Sequence, residues 1–268
     1  MDLVASARPS RPGRVGVATL TSVVSVAVGL ALWQAASLWV DVGILFPTFT
    51  HTVARLVGLL RGVDPVYGSL PGHVLASLGR VATGFAIGSG LGAAIGLLAG
   101  SVAPARRLLE PHINFFRFIT PIAWISPAII WFGIGETSKV FLIVYTTVFI
   151  VLVNTMVGAT YVATDRVRMA RCFGANPLQL FALIILPSTV PFVLTGMRIA
   201  MGNSIATIVA AEMVAAREGV GYLIFFSRAY QGTDVMFAAL LTLGAMGFVA
   251  DRLFVFGSRQ LLGRFQPE

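Results

Sequence analysis

The sequence predicts an all-α membrane protein with six transmembrane helices, and three observations carry that prediction. Of the 268 residues, 57% are hydrophobic and 11% charged, with a mean hydropathy of +0.87, far from the composition of soluble globular chains. The apolar residues fall into successive runs long enough to cross a bilayer, which takes about 20 helical residues. Arginines gather between alternate runs, so the net charge of +8 reads as a topology signal and not as a nucleic-acid surface. Cys172 is the single cysteine, which excludes an intramolecular disulfide and a cysteine-cluster metal site. His51, His73 and His112 are scattered, which favours separate loop or interface roles over a shared metal.

A short inner tail, 1–14, carries Arg8, Arg11 and Arg14 ahead of the first span, 15–40. That run exceeds a signal-peptide core, so it reads as a retained helix. Residues 41–73 form an outer loop with Pro47, Pro65 and Pro71, in which Phe49, Val53, Leu56, Val57 and Leu60 share one helical face. This short helix either rests on the membrane or packs on the protein's own outer surface.

The five-helix core, 74–257, begins with a span from Val74 to Gly100 carrying Gly84, Gly88, Gly92, Gly96 and Gly100 at unbroken four-residue spacing. Such a stripe lets a neighbouring backbone approach closely, so this helix is expected to be buried among others. Arg106 and Arg107 mark an inner turn. The third span, Ile113 to Ile134, contains Pro121 and Pro127, so it should be kinked or partly unwound. Gly135 to Lys139 form an outer loop, and the fourth span runs from Val140 to Ala163.

Asp165, Arg166, Arg168 and Arg171 then place the next segment in water. Its grammar is helix, break, helix: Gly174 suits a left-handed helix end, Asn176 a cap and Pro177 a first turn. Leu178, Phe181, Ala182, Ile185 and Leu186 follow with one-face spacing, and Pro187 is expected to close the helix. Read from spacing alone, this is a capped hairpin.

The fifth span, Ser188 to Val214, is the most polar, with Thr195, Arg198, Asn203, Ser204, Thr207 and Glu212. Charges at membrane depth usually face a bundle interior or a watery cavity, which makes Arg198, Asn203, Thr207 and Glu212 candidates for a pathway lining. The alternative is that Arg198 snorkels and Glu212 ends the helix. An outer loop, Arg217 to Asp234, leads to the sixth span, Val235 to Gly257, and a tail, 258–268, with Arg259 and Arg264. Inner ends thus hold ten arginines, against Arg55, Arg61, Lys139, Arg217 and Arg228 outside, which predicts both termini in the cytoplasm.

Lys139 is the only lysine and lies in no phosphate-binding loop, so this chain holds no nucleotide by that motif. Neither paired carboxylates nor a serine–histidine arrangement stands out, which leaves a membrane enzyme little to build on. A channel or ion-driven transporter would instead show internal repeats or acidic residues at midplane.

The segment around Gly174 resembles the EAA loop of the membrane subunits of binding-protein-dependent ABC importers. Gly174, Ile184, Leu186 and Pro187 fall at the family's spacings, and Ala170 supplies its second alanine, while Arg168 and Met169 stand where Glu and Ala are usual. From Leu45 to Arg264, with FGIGETSK ending at Lys139, AAEM at Ala210 to Met213, and GVGYLIFFSRAYQGTDV after it, the chain resembles the nitrate, sulfonate, taurine and bicarbonate branch. The resemblance implies a multi-pass permease of the bacterial inner membrane. It implies a coupling loop, 164–187, between helices four and five, with Ala170, Gly174, Ala175, Asn176, Pro177, Ile184, Leu186 and Pro187 as its site. It also implies ATPase subunits holding ATP and Mg, an extracytoplasmic binding protein, a second permease copy, most simply in a homodimer, and a small, often anionic solute. Relatives of this branch carry heterocyclic vitamin precursors.

Overall fold

The computed structural model describes residues 13–40, 45–62, 64–162 and 164–262. Arg8, Arg11, Ala163, Arg264 and most of both expected tails lie outside these residues. The described chain is helical apart from one isolated bridge, Asp64 to Gly68. Its elements are α1 (Gly13–Val40), α2 (Phe49–Arg61), α3 (Leu70–Ser101), α4 (Ala103–Phe116), a 3-10 turn (Pro121–Trp124) and α5 (Ile125–Phe132). There follow α6 (Glu136–Thr160), α7 (Thr164–Cys172), α8 (Pro177–Leu180), a π turn (Phe181–Ile185), α9 (Leu186–Ala215), α10 (Val220–Ala229) and α11 (Thr233–Leu262).

Among the described residues, four helical stretches are long and apolar enough to cross a membrane: Leu70–Ser101, Glu136–Thr160, Pro177–Ala215 and Thr233–Gln260. A fifth is formed if α4 and the 3-10 turn with α5 count as one span bent by 87°. α1 adds the shorter apolar stretch Val23–Trp39.

α3 and α6 form the most extensive helix pair. All five glycines of the α3 stripe face α6: a Cβ on Gly84, Gly88, Gly92 or Gly96 would lie 2.6 to 2.7 Å from Ile143, Thr147, Val148 O or Leu152 O, and one on Gly100 would strike Ala159. α6 turns its own glycine outward to the next helix, since a Cβ on Gly158 would meet Phe192 of α9 at 2.5 Å. Backbones this close gain dispersion along their whole length. An apolar core of Val81, Leu142, Ile143, Ile205, Ile208 and Met246 ties α3, α6, α9 and α11 together with α5. A second cluster, Leu59, Leu70, Val220, Leu223 and Val235, joins α2, α3, α10 and α11 at the end remote from α7.

Several sequence expectations are corrected. The third span is unwound ahead of Pro121, as its prolines predict, but it does not start at Ile113. α4 begins at Ala103, with Pro104 in its first turn, and the chain breaks between Phe116 and Pro121. Arg106 and Arg107 lie in α4 and not in a turn, because Arg106 donates to Ala99 O and Gly100 O and so caps the carbonyl end of α3. Pro121, which has no N–H, starts the 3-10 turn, while Pro127 sits in the first turn of α5, where no donor is lost. Glu136 to Lys139 are the first turn of α6, not a loop, and Ser138 and Lys139 are buried.

Pro187 does not close a helix either. Leu186 N–H reaches back five residues to Phe181 O, and this π turn shifts the ladder directly ahead of Pro187, which has no N–H to donate, so that the helix runs on past it. Helix therefore continues from Pro177 to Ala215. On α2 the buried positions are Thr52 and Leu59, whereas Leu60 of the expected face is exposed, because α2 packs chiefly on α11. The expected outer loop after Arg217 contains α10, and residues 258–262 belong to α11.

Candidate functional site

The segment after α6 is held by two complementary caps. At the end of α7, Ala175 N–H donates to Ala170 O and Gly174 N–H to Arg171 O, both at 3.0 Å, with Gly174 at φ +78°. This paired closure needs a residue at positive φ, which glycine adopts without a Cβ penalty. At the start of α8, Asn176 Oδ1 accepts Gln179 N–H at 2.8 Å, and Gln179 Oε1 accepts Asn176 N–H at 2.9 Å, with Pro177 in the first turn. A cap of this type contributes about 1 kcal/mol. The turn is therefore rigid while its apolar residues stay uncovered: Phe173 is 86% exposed and Leu178 75%. Ala170 and Ile184 line a shallow groove with Met169, Phe173 and Leu183, Ala175 and Pro187 are half-buried, and Leu186 borders solvent.

A second feature opens on the side of the bundle, between the broken span, α6 and α9. The break after α4 leaves carbonyls without helical donors, and Tyr145 Oη donates to Phe116 O at 2.6 Å, with Ile119 O at 3.3 Å. Beside it opens a cavity of about 250 Å³ lined by Arg117, Ile122, Tyr145, Thr146, Asn203 and Thr207 among others. The Oγ1 atoms of Thr146 and Thr207 lie 3.0 Å apart, and Asn203 Nδ2 donates to Ile199 O at 2.9 Å, leaving its amide oxygen directed elsewhere. Asn203 and Thr207, picked out by their polarity on α9, thus share one cavity.

Arg198 and Glu212 are not part of it. Arg198 makes a two-pronged ion pair with Asp251 of α11, at 2.7 and 3.0 Å, beside a different groove near Pro191 and Ser258. Glu212 is fully buried: its carboxylate accepts from Ser77 Oγ, Arg80 Nη1 and Gly221 N–H at 2.7 to 2.9 Å. Arg80 also pairs with Glu136 and donates to Glu218 O, and Lys139 Nζ reaches Glu136 at 2.9 Å. His73 completes the cluster, donating through Nε2 to Tyr67 O and accepting Gly219 N–H at Nδ1. Gly219 has φ +127°, and a Cβ there would collide with the Glu212 carboxylate. The cluster clamps α3, α6, α9 and the α9–α10 turn together at the end remote from α7.

Sequence reasoning missed Arg117, Tyr145 and Thr146 of the cavity, and Arg80 and Ser77 of the clamp. Arg80 could have been found, since an arginine inside an apolar span demands a partner. Tyr145 and Arg117 become visible only once the break brings them together.

Similarity to known proteins identifies the family. Residues 88–261 match the binding-protein-dependent transport system inner membrane component family. A probable ABC transporter permease protein of Brucella melitensis biotype 1 is 37% identical over 240 residues, covering 90% of this chain and 95% of its own length. The taurine transport system permease protein TauC of Escherichia coli K12 is 30% identical over 259 residues, covering 96% and 90%. Among solved structures, an inward-facing form of the MetNI methionine ABC transporter superposes with a TM-score of 0.55 at 17% identity, over 68% of this chain and 93% of that one, a similarity of fold. The chain belongs to the binding-protein-dependent transport system inner membrane components, the permease subunits of ABC transporters.

Proposed function

We propose that this permease carries a small anionic solute of the sulfonate, taurine, bicarbonate or nitrate type, that loop 164–187 couples it to a separate ATPase, and that two copies form the pathway. The names of its relatives support the solute class, which include a taurine, an aliphatic sulfonate and a bicarbonate permease. A binding protein delivers the solute at the outer face, ATP and Mg sit on the ATPase, and six spans place both termini in the cytoplasm.

The observation that carries the coupling role is the rigid, doubly capped turn at Gly174 with Phe173 and Leu178 uncovered. An exposed apolar knob on a stiff turn suits insertion into a cleft of a partner. The same continuous helix runs from Pro177 to Ala215 and bears Asn203 and Thr207 on the cavity wall. At 1.5 Å per residue, a push at Pro177 is carried roughly 45 Å along one continuous helix to Thr207. Closure of the ATPases therefore rocks the cavity wall without any chemistry on this chain. One such loop per chain means that two ATPases engage two permeases, most simply a homodimer.

The test is reconstitution of the permease with its ATPase and binding protein in liposomes, with ATP-dependent uptake of labelled taurine, methanesulfonate, bicarbonate and nitrate. Uptake of none of them rejects the solute class. Cross-linking that finds one permease copy per complex rejects the dimer.

A further inference from the structure

We propose that Arg117 is the anion-reading residue of the cavity at the broken span. The assignment rests on the permease reading above and adds a residue to it. Among the described residues, Arg117 is the only charged side chain lining that cavity. Its guanidinium lies 4.8 Å from the Phe118 ring and has no hydrogen bond or ion pair among the described residues. Arg80 and Lys139 are paired with Glu136 and Glu212, and Arg198 with Asp251, whereas Arg252 of α11 lies over the Phe248 ring as Arg117 lies over Phe118, but lines no part of this cavity. Arg117 is exposed at the open side of the cavity on the single chain, and a charge held at membrane depth without a carboxylate is costly, a cost that a visiting anion lowers.

Depth and size agree. Thr146 is ten residues into α6, about 15 Å from its start, so the cavity sits near the middle of the bundle, away from phospholipid head groups. About 250 Å³ is below the roughly 300–1,000 Å³ of drug-sized ligand pockets, which restricts the occupant to a few heavy atoms. The guanidinium fork matches two oxygens of a sulfonate, carboxylate or carbonate group. Asn203, Thr146 and Thr207 offer polar atoms on the facing walls, and Ile119, Ile122 and Phe149 shield a short apolar body. Arg117 ends α4 with its N–H still bonded to Ile113 O, and the 87° bend that follows folds Ile119, Pro121 and Ile122 back beside it as the cavity wall.

The experiment uses the full transporter with its ATPase and binding protein, in a Cys172→Ser background carrying Ala206→Cys on the cavity wall. Modification by an anionic and a cationic methanethiosulfonate reagent is timed, each normalised to its rate with a free thiol. Charge focusing in clefts raises local counter-ion concentration by roughly 10- to 1,000-fold, so the anionic reagent is expected to win by at least about tenfold. Arg117→Gln abolishes that preference and Arg117→Lys keeps it. Millimolar methanesulfonate slows modification at least about fivefold in the Arg117 protein and not in the Gln variant. Equal rates for the two reagents with Arg117 present, or a preference unchanged in Arg117→Gln, overturn the assignment. If the Gln variant fails to assemble, the Arg117 protein alone decides, by its reagent preference and by methanesulfonate protection. Liposomes that take up none of the four anions yet show Arg117-dependent labelling reject the solute class and leave the anion site standing. Uptake with charge-independent labelling rejects Arg117 and leaves the solute class.

Discussion

Arg80 of α3 and Glu212 of α9 meet at 2.7 Å with side chains 4% and 0% exposed. Helices distant in sequence are thereby clamped at one end of the bundle, and Ser77 and the Gly221 N–H satisfy the remaining carboxylate lone pairs. Breaking a buried pair by removing one partner strands the other charge, at about 3–5 kcal/mol.

Arg80→Met is therefore expected to lower detergent-solubilised thermal stability strongly, because it leaves Glu212 without its cation. The double change Arg80→Met with Glu212→Gln should recover part of the loss. Melting curves of the single and double variants check this; additive losses would show that the two residues are not coupled.

Gly92 lies against Val148 O at 2.7 Å from where a Cβ would stand, whereas Leu91 is exposed. Gly92→Leu is expected to separate α3 from α6 and cut the yield of assembled permease severalfold, while Leu91→Ala has little effect. Gel filtration after membrane extraction reads the difference, and equal yields would contradict close packing at the stripe.

Gly174→Val places a β-branched residue at φ +78°, at about 1–3 kcal/mol of strain. Nothing crowds a Cβ at this position, so the effect is conformational and not steric. Membrane insertion should survive while binding-protein-stimulated ATP hydrolysis and uptake fall together. Uptake at the unmodified rate would remove the coupling role.

Cys172 is exposed just before Gly174. A membrane-impermeant maleimide is expected to label it in inside-out vesicles and not in spheroplasts, with protection by the ATPase subunit. Gln260→Cys and Thr137→Cys in a Cys172→Ser background serve as inner and outer controls. Labelling from outside with both controls in order would invert the topology, and labelling without protection would move the docking face elsewhere.

The loop around Gly174 was legible because its information is local. A cap at Asn176, a positive-φ glycine and a proline in a first turn each act within a few residues, so their geometry follows from spacing. The four-residue glycine period likewise marks one helix face, although it does not name α6 as the helix that fills it. Prolines were read unevenly: Pro121 coincides with the expected break, whereas Pro187 interrupts nothing, because a π turn directly ahead of it shifts the hydrogen-bond ladder and the helix continues.

By itself the sequence determined that this is a helical membrane protein, roughly where its helices run, and where the capped turn at Gly174 lies, since hydropathy and capping are properties of neighbours along the chain. Only the tertiary structure decided what the polar residues inside those helices do. Glu212 was singled out as a pathway residue and is instead locked under Arg80, Ser77 and Gly221, while Arg117, unremarked in an apolar run, stands at a cavity without a carboxylate. The physical reason is that the state of a buried charge depends on partners some 130 residues away, as Arg80 is from Glu212, and no local pattern encodes which carboxylate reaches which cation.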